Sequence, residues 1–166
     1  MGHINNGEIQ MKKIDYVDDV HPDLLLEKDD LLYNRTNSPD QVGKAAIFRG
    51  SKEDAITFAS YLVRFRLNHQ VVPEFMNYVV NCDGFLGYAR RLAIPSVQQS
   101  NLNSTRYGQL IVPLPPIKEQ EEIVATLNKL TASVAITKNL LNRQIDTLTA
   151  YRKSLIHECV TGQRRV

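Results

Sequence analysis

Pro113-Leu114-Pro115-Pro116-Ile117-Lys118-Glu119-Gln120-Glu121-Glu122-Ile123-Val124 divides this 166-residue chain into two textures. Ahead of it lie short apolar runs broken by loops; behind it glycine and proline are absent until Gly162. Over that second interval Ile123, Leu127, Leu130, Val134, Thr137, Leu141, Ile145, Leu148, Tyr151 and Leu155 recur at a mean step of about 3.56 residues, between the coiled-coil repeat and the free helix. Pro116 suits a helix start and Gly162 a stop. Glu119, Glu121 and Glu122 fall at the positive end of the helix dipole, and Arg152, Lys153 and His157 at the negative end. A helix of about 44 residues is a rod of roughly 66 Å. Its apolar seam must meet the globular part of the chain or another helix.

Working back from that boundary, Leu110-Ile111-Val112 reads as a strand, and the polar stretch from Pro95 to Gln109 as a single long loop, a length that inside a compact domain marks function or disorder. Pro73 opens a helix over 73–82, with Phe75, Met76, Val79 and Val80 at helical steps, and a second short helix covers 85–92. Between Ala59 and Leu67 a strand is expected in which Tyr61, Val63, Phe65 and Leu67 face one way and Arg64 and Arg66 the other. Ala45–Phe48 and Leu31–Tyr33 are further strand candidates. Gly2–Asp23 is polar and acidic, with Ile14, Tyr16, Val17 and Val20 as its main apolar content, and predicts at most a strand and loops. The fold class is therefore α+β: a mixed α/β domain over residues 1–112, followed by a long C-terminal helix, over 113–166, suited to coiled-coil pairing.

The net charge of +2 is an average over unlike segments. Residues 1–30 carry −5, residues 31–112 carry +4 and residues 113–166 carry +3, so the basic excess lies towards the rear. A mean hydropathy of −0.28 and the lack of any long apolar run exclude a membrane-spanning helix. Cys82 and Cys159 are far apart and no secretory leader opens the chain, which predicts a cytoplasmic protein with free thiols.

No catalytic constellation stands out. His3, His21, His69 and His157 have no metal-ligand spacing to one another or to the cysteines, and neither a phosphate-binding glycine run nor a nucleophile elbow is present. Asp29 and Asp30 could serve a metal-dependent nuclease, although paired acids in a turn are more often a solvated face. Groups suited to nucleic acid are more plentiful. They comprise Asn34, Arg35, Thr36, Asn37 and Ser38 in one loop, Lys44 after Gly43, Arg64 and Arg66 on a strand, Arg90 and Arg91, and Gln98, Gln99, Asn101 and Asn103 in the long loop. Arginine pairs with guanine and Asn or Gln with adenine, while Lys, Ser and Thr suit phosphates. A solvated sheet face for the arginine pair and a plain polar loop for the Gln/Asn stretch remain open on composition alone.

Two stretches go further. Pro113-Leu114-Pro115-Pro116 with Glu119-Gln120 and Ile123-Val124, and later Tyr151-Arg152-Lys153-Ser154-Leu155-Ile156-His157-Glu158 with Val160-Thr161-Gly162, closely resemble the end of a target recognition domain and the helical spacer of specificity subunits of type I restriction-modification systems. Leu24–Tyr33 entering Asn34-Arg35-Thr36-Asn37-Ser38, then Val42-Gly43-Lys44-Ala45-Ala46, resembles a strand-loop-strand of the same recognition domain. The order is right, and the motifs span about residues 24–162.

The resemblance implies a non-catalytic subunit that reads double-stranded DNA and docks methyltransferase subunits and, through the complex, a restriction subunit. Methyl donor and ATP would belong to those partners, leaving this chain without a cofactor or metal. DNA contacts would fall at Arg35–Ser38, Lys44 and Gln98–Asn103, and Ile123, Leu127, Leu130, Val134, Leu141, Ile145, Leu148 and Leu155 would form the helix-pairing seam. A usual specificity subunit has two recognition domains and two spacers, whereas this chain has room for one of each. It therefore reads as a half-subunit or a fragment, with a recognition domain incomplete at its N-terminus. Pairing of two such chains through the helix would make a homodimer with a palindromic, interrupted target. The competing expectations are a truncated module that docks methyltransferase subunits without specific DNA binding, and the small nuclease.

Overall fold

A computed structural model describes residues 4–5, 7–10 and 15–165; Ile14 and His3 lie outside the described residues. The chain divides into two compact units, Met1–Ile123 and Val124–Val166.

The first unit is built on a mixed sheet of β1 (Ile4–Asn5), β2 (Glu8–Ile9), β3 (Leu31–Asn34), β5 (Ala45–Ile47) and β6 (Leu62–Phe65) in the order β1-β2-β5-β3-β6. The β2–β5 pairing is parallel and the others are antiparallel. Alternation along β3 sorts its side chains into two cores. Leu31 and Tyr33 join Val42, Ala45, Ile47, Met76, Val80, Ala89, Leu102, Tyr107 and Leu110 on one face. Leu32 packs with Ile4, Leu26, Ala46 and Phe48 on the other. The register pairs Leu31 with Phe65, Leu32 with Arg64 and Tyr33 with Val63, so β6 has the alternation expected of it, over a shorter span.

Two helices cover the larger core. In α1 (Pro73–Asn81), Pro73 begins the first turn and Phe75, Met76 and Val80 are buried. Its last residue, Asn81, meets Ala45 of β5 with both ends of its amide: Oδ1 accepts from the Ala45 N–H at 3.1 Å and Nδ2 donates to the Ala45 carbonyl at 3.0 Å. In α2 (Asp83–Leu92), Leu86 and Ala89 point inward. Four rings, Tyr33, Phe65, Tyr107 and Phe85, fill the centre, and the Tyr33 and Tyr107 rings stack at 3.9 Å between centroids.

Three sequence expectations are corrected. Residues 95–109 are not a loop: β7 (Ile94–Ser96), β8 (Gln99–Asn101) and α3 (Ser104–Gly108) occupy most of the stretch. Leu110–Val112 form no strand; Leu110 is buried in the core while Ile111 is 90% exposed, with no ladder partner for the segment. The acidic entry holds two strands rather than one, β1 and β2, joined where Gly7 adopts φ 77°.

The helix α4 (Ile117–Val160) runs unbroken for 44 residues. Its start, through Ile123, groups with the sheets, and Gln120 is fully buried there. The Gln120 amide makes three bonds to backbone. Its Oε1 accepts from the Val72 N–H at 2.8 Å, and its Nε2 donates to the Gln70 carbonyl at 3.0 Å and to the Pro115 carbonyl at 2.8 Å. In the second unit every residue from 128 to 154 is exposed, and Leu130, Val134, Leu141, Ile145 and Leu148 of the seam are 53–66% exposed. The helix closes as expected: Gly162 takes φ 76° and its N–H reaches the Cys159 carbonyl at 3.3 Å.

Candidate nucleic-acid interface

A second, smaller sheet in the first unit joins the two stretches read as DNA-contacting. Its strands are β4 (Thr36–Asn37), β8 and β7, in that order. Thr36 pairs with Asn101 and Asn37 with Ser100, and across β7 Ile94, Pro95 and Ser96 pair with Asn101, Ser100 and Gln99. Residues 36–37 and 99–101, more than sixty positions apart, thus form one sheet. Asn101 reinforces the joint by donating from Nδ2 to Thr36 Oγ1 at 2.9 Å.

The core holds this sheet at several points. The Tyr33 hydroxyl donates to the Leu102 carbonyl at 3.2 Å, and the Tyr107 hydroxyl to the Gly43 carbonyl at 3.4 Å. Both rings lose water on burial, which pushes the Tyr33 phenol up to about 12 against the opposing pull of Arg35, and the Tyr107 phenol further up. The peptide of Arg35 is clamped on both sides: its N–H donates to Tyr61 and its carbonyl accepts from the Leu102 N–H at 2.8 Å. An exposed arginine therefore rises from a fixed backbone, the arrangement a specific contact needs.

Next to it, residues 38–44 form a compact turn. Gln41 and Val42 donate their N–H groups to the Ser38 carbonyl, Lys44 Nζ reaches Gln41 Oε1 at 3.0 Å, and Gly43 adopts φ 83°, a conformation that L side chains resist. Hydrogen bonds from Ser38 and Gln41 hold the Asp40 carboxyl below its ordinary range. Arg90 of α2 donates to the Asp40 carbonyl, and its Nε is buried with no protein partner.

Internal bonds occupy several of the amides. Asn34 is buried and donates to the Gln41 carbonyl, Asn37 Oδ1 accepts from the Ser38 N–H, and Asn103 caps α3 by accepting from the Arg106 N–H at 2.9 Å. Arg35 and Gln98 are exposed, and Thr36, Ser38, Lys44 and Gln99 are half-buried.

Arg64 and Arg66 belong to a different place. Asp30, 1% exposed, accepts from Arg66 Nε at 2.9 Å and Nη2 at 3.2 Å, and its Oδ2 also takes the Glu27 N–H at 2.9 Å. Arg64 donates to the Leu25 carbonyl at 2.9 Å and lies over the Phe58 ring. Asp30 is thus the buried centre of an ion-pair network, while its neighbour Asp29 lies 3.7 Å from Arg49. Sequence reasoning missed this role because the partners lie some 36 positions apart, with only the alternation of Arg64 and Arg66 to hint at it. Among the described residues no group of three or more His, Cys, Asp or Glu side chains could hold a metal ion, and no helix is long and apolar enough to cross a membrane.

An α+β domain of this build, ending in a Pro-rich boundary and a long helix, has a family. Residues 4–145 match the model of the type I restriction modification DNA specificity domain, and the chain belongs to that family. Three curated relatives illustrate it. The chain is 25% identical over 162 residues to the putative type I restriction enzyme MjaX specificity subunit of Methanocaldococcus jannaschii, covering 95% of this chain and 37% of that one. It is 29% identical over 140 residues to the StySPI specificity subunit of Salmonella potsdam, and 22% identical over 139 residues to the EcoKI specificity subunit of Escherichia coli K12; each match covers 83% of this chain and 30% of the relative. The chain spans about a third of the length of the curated relatives it matches.

Proposed function

We propose that this chain is a DNA-reading specificity component, half of a usual subunit, which directs a type I restriction-modification complex to its target. The observation that carries the reading is the sheet β4-β8-β7, which unites the Arg35 and Gln98–Asn103 segments on a backbone pinned by the core. Arg35, Lys44, Gln98 and Gln99 are the side chains best presented for base or phosphate contact, with Thr36 and Ser38 beside them. Arg64 and Arg66 are engaged with Asp30 and Leu25, which favours a structural part for them.

The chain itself would be non-catalytic, as specificity subunits generally are. Methyl donor and ATP would be bound by the modification and restriction subunits with which it assembles on double-stranded DNA in the cytoplasm. The exposed seam from Leu130 to Leu148 supports helix pairing, because burying each Leu or Ile contributes about 1.5–3 kcal/mol. Two copies paired in this way would place two readers about a twofold axis and call for an interrupted palindrome.

The test is to co-express the chain with its methyltransferase subunits and map methylated bases across the host genome. An interrupted palindromic motif is expected, together with reduced discrimination at one position for Arg35→Ala, since a bidentate arginine contact contributes about 1–3 kcal/mol. Complex formation without any sequence-dependent methylation would leave a docking module and refute the reading.

A further inference from the structure

The hairpin of β7 and β8 ends in a two-residue turn, Val97-Gln98, between the paired residues Ser96 and Gln99. The turn needs a residue at positive φ, but neither of its side chains is one that folding favours there. Gln98 adopts φ 60°, in the left-handed region where glycine or asparagine is favoured, so the side chain is kept against a conformational cost. Val97 is 90% exposed, and no residue from 94 to 98 belongs to either core cluster. At the tip of the hairpin this aliphatic side chain joins no core cluster among the described residues. Strain and exposed apolar surface therefore coincide at adjacent residues, on the sheet whose strand β4 follows directly on the fixed backbone of Arg35.

The dimensions and chemistry of the tip fit one occupant. The major groove admits a two-stranded ribbon, and an A·T pair presents there, side by side, the N7 and N6 of adenine and the C5-methyl of thymine. A glutamine amide matches the first and an aliphatic group packs on the second. The basic side chains of the same unit, Arg35 and Lys44 on the neighbouring segments and Arg91 stacked on Tyr88, give the charge a phosphate backbone requires. We infer that the Val97-Gln98 tip is a specificity-determining element that reads an A·T pair in the major groove, with Val97 against the thymine methyl. The inference rests on the DNA-reading function proposed above and adds the pair and the contact.

The experiment uses the full chain at low salt and two random-sequence duplex libraries, one made with thymine and one with uracil, which lacks the methyl group. Wild type is expected to select a motif containing an A·T pair whose enrichment falls about fourfold or more in uracil DNA, the effect of one buried methyl. Val97→Ala should lose enrichment at that same position and become indifferent to uracil. Gln98→Gly should relax discrimination against G·C there while its thermal midpoint is unchanged or raised. A wild-type motif indifferent to uracil, or a Val97→Ala protein with unaltered motif and uracil response, overturns the assignment while leaving the DNA-reading function standing. Selection of no motif by wild type overturns that function and the assignment together.

Discussion

Replacing Gln120 by alanine should cost far more than a residue on a mostly exposed helix normally would. Its amide is fully buried and satisfies the Val72 N–H and the Gln70 and Pro115 carbonyls. A typical net hydrogen bond contributes about 1 kcal/mol, and a buried partner left unsatisfied costs about 1–3 kcal/mol. Gln70 is itself exposed, so water can reach its carbonyl and the three losses will not add in full. The expected destabilisation of Gln120→Ala is about 2–4 kcal/mol. Gln120→Glu should be at least as harmful, because a carboxylate can still accept from Val72 but meets two carbonyl oxygens where the NH2 group donated. Urea unfolding followed by near-ultraviolet tyrosine signal, which reports on the ring stack of the first unit, measures this directly. A loss below about 1 kcal/mol for both variants would show that the bonds are replaced by solvent and refute the idea of a lock.

Three further outcomes are expected. Asp30→Leu should destabilise the chain by about 2–4 kcal/mol in the same assay, since removing one partner strands charge at a buried site, tempered because Arg66 is half-exposed and also lies 3.3 Å from Glu27; Asp30→Asn, which still accepts from the Glu27 N–H, should cost less, and equal costs would contradict the role of the charge. The raised phenols of Tyr33 and Tyr107 favour the protonated form in the folded state, so their contribution is complete below the unfolded value near 10 and is lost as pH rises towards about 12, at up to about 1.4 kcal/mol per pH unit for each ring; a urea midpoint that stays flat between pH 9 and 11.5 would contradict it. Sedimentation at micromolar concentration should give a dimer for the wild-type chain and a monomer for Leu141→Asp with Ile145→Asp, and a wild-type monomer would argue against self-pairing.

How far the fold was legible depended on where each element's determinants lie. The helix α4 was readable because its determinants are local: no glycine or proline over a long interval and an apolar repeat near 3.5. Strands β3 and β5 and helices α1 and α2 likewise have apolar patterns of their own. The strands β4, β7 and β8 do not. Thr36-Asn37 and Gln99-Ser100-Asn101 are polar and, Thr36 apart, poor strand formers, and they become strands only by pairing with each other across the chain. Local clues existed: Asn103 is a helix-capping residue and buried Leu102 is a lone apolar anchor. For the candidate interface, composition supplied the residue types, while the backbone decided their use, capping with Asn103 and bridging with Asn101 where sequence alone offered both as readers.

The hydrogen bonds that lock the Gln120 amide end on main-chain atoms. The side chains of Gln70, Val72 and Pro115 take no part in those bonds, and neither does any residue of the β4-β8-β7 sheet. The first turn of the helix is therefore anchored without reference to the side chains of that sheet. If the hairpin tip and the segment at Arg35 read DNA as proposed, residues there could be exchanged, by selection or by an engineer, without renegotiating how the helix begins, and one socket would serve many different targets.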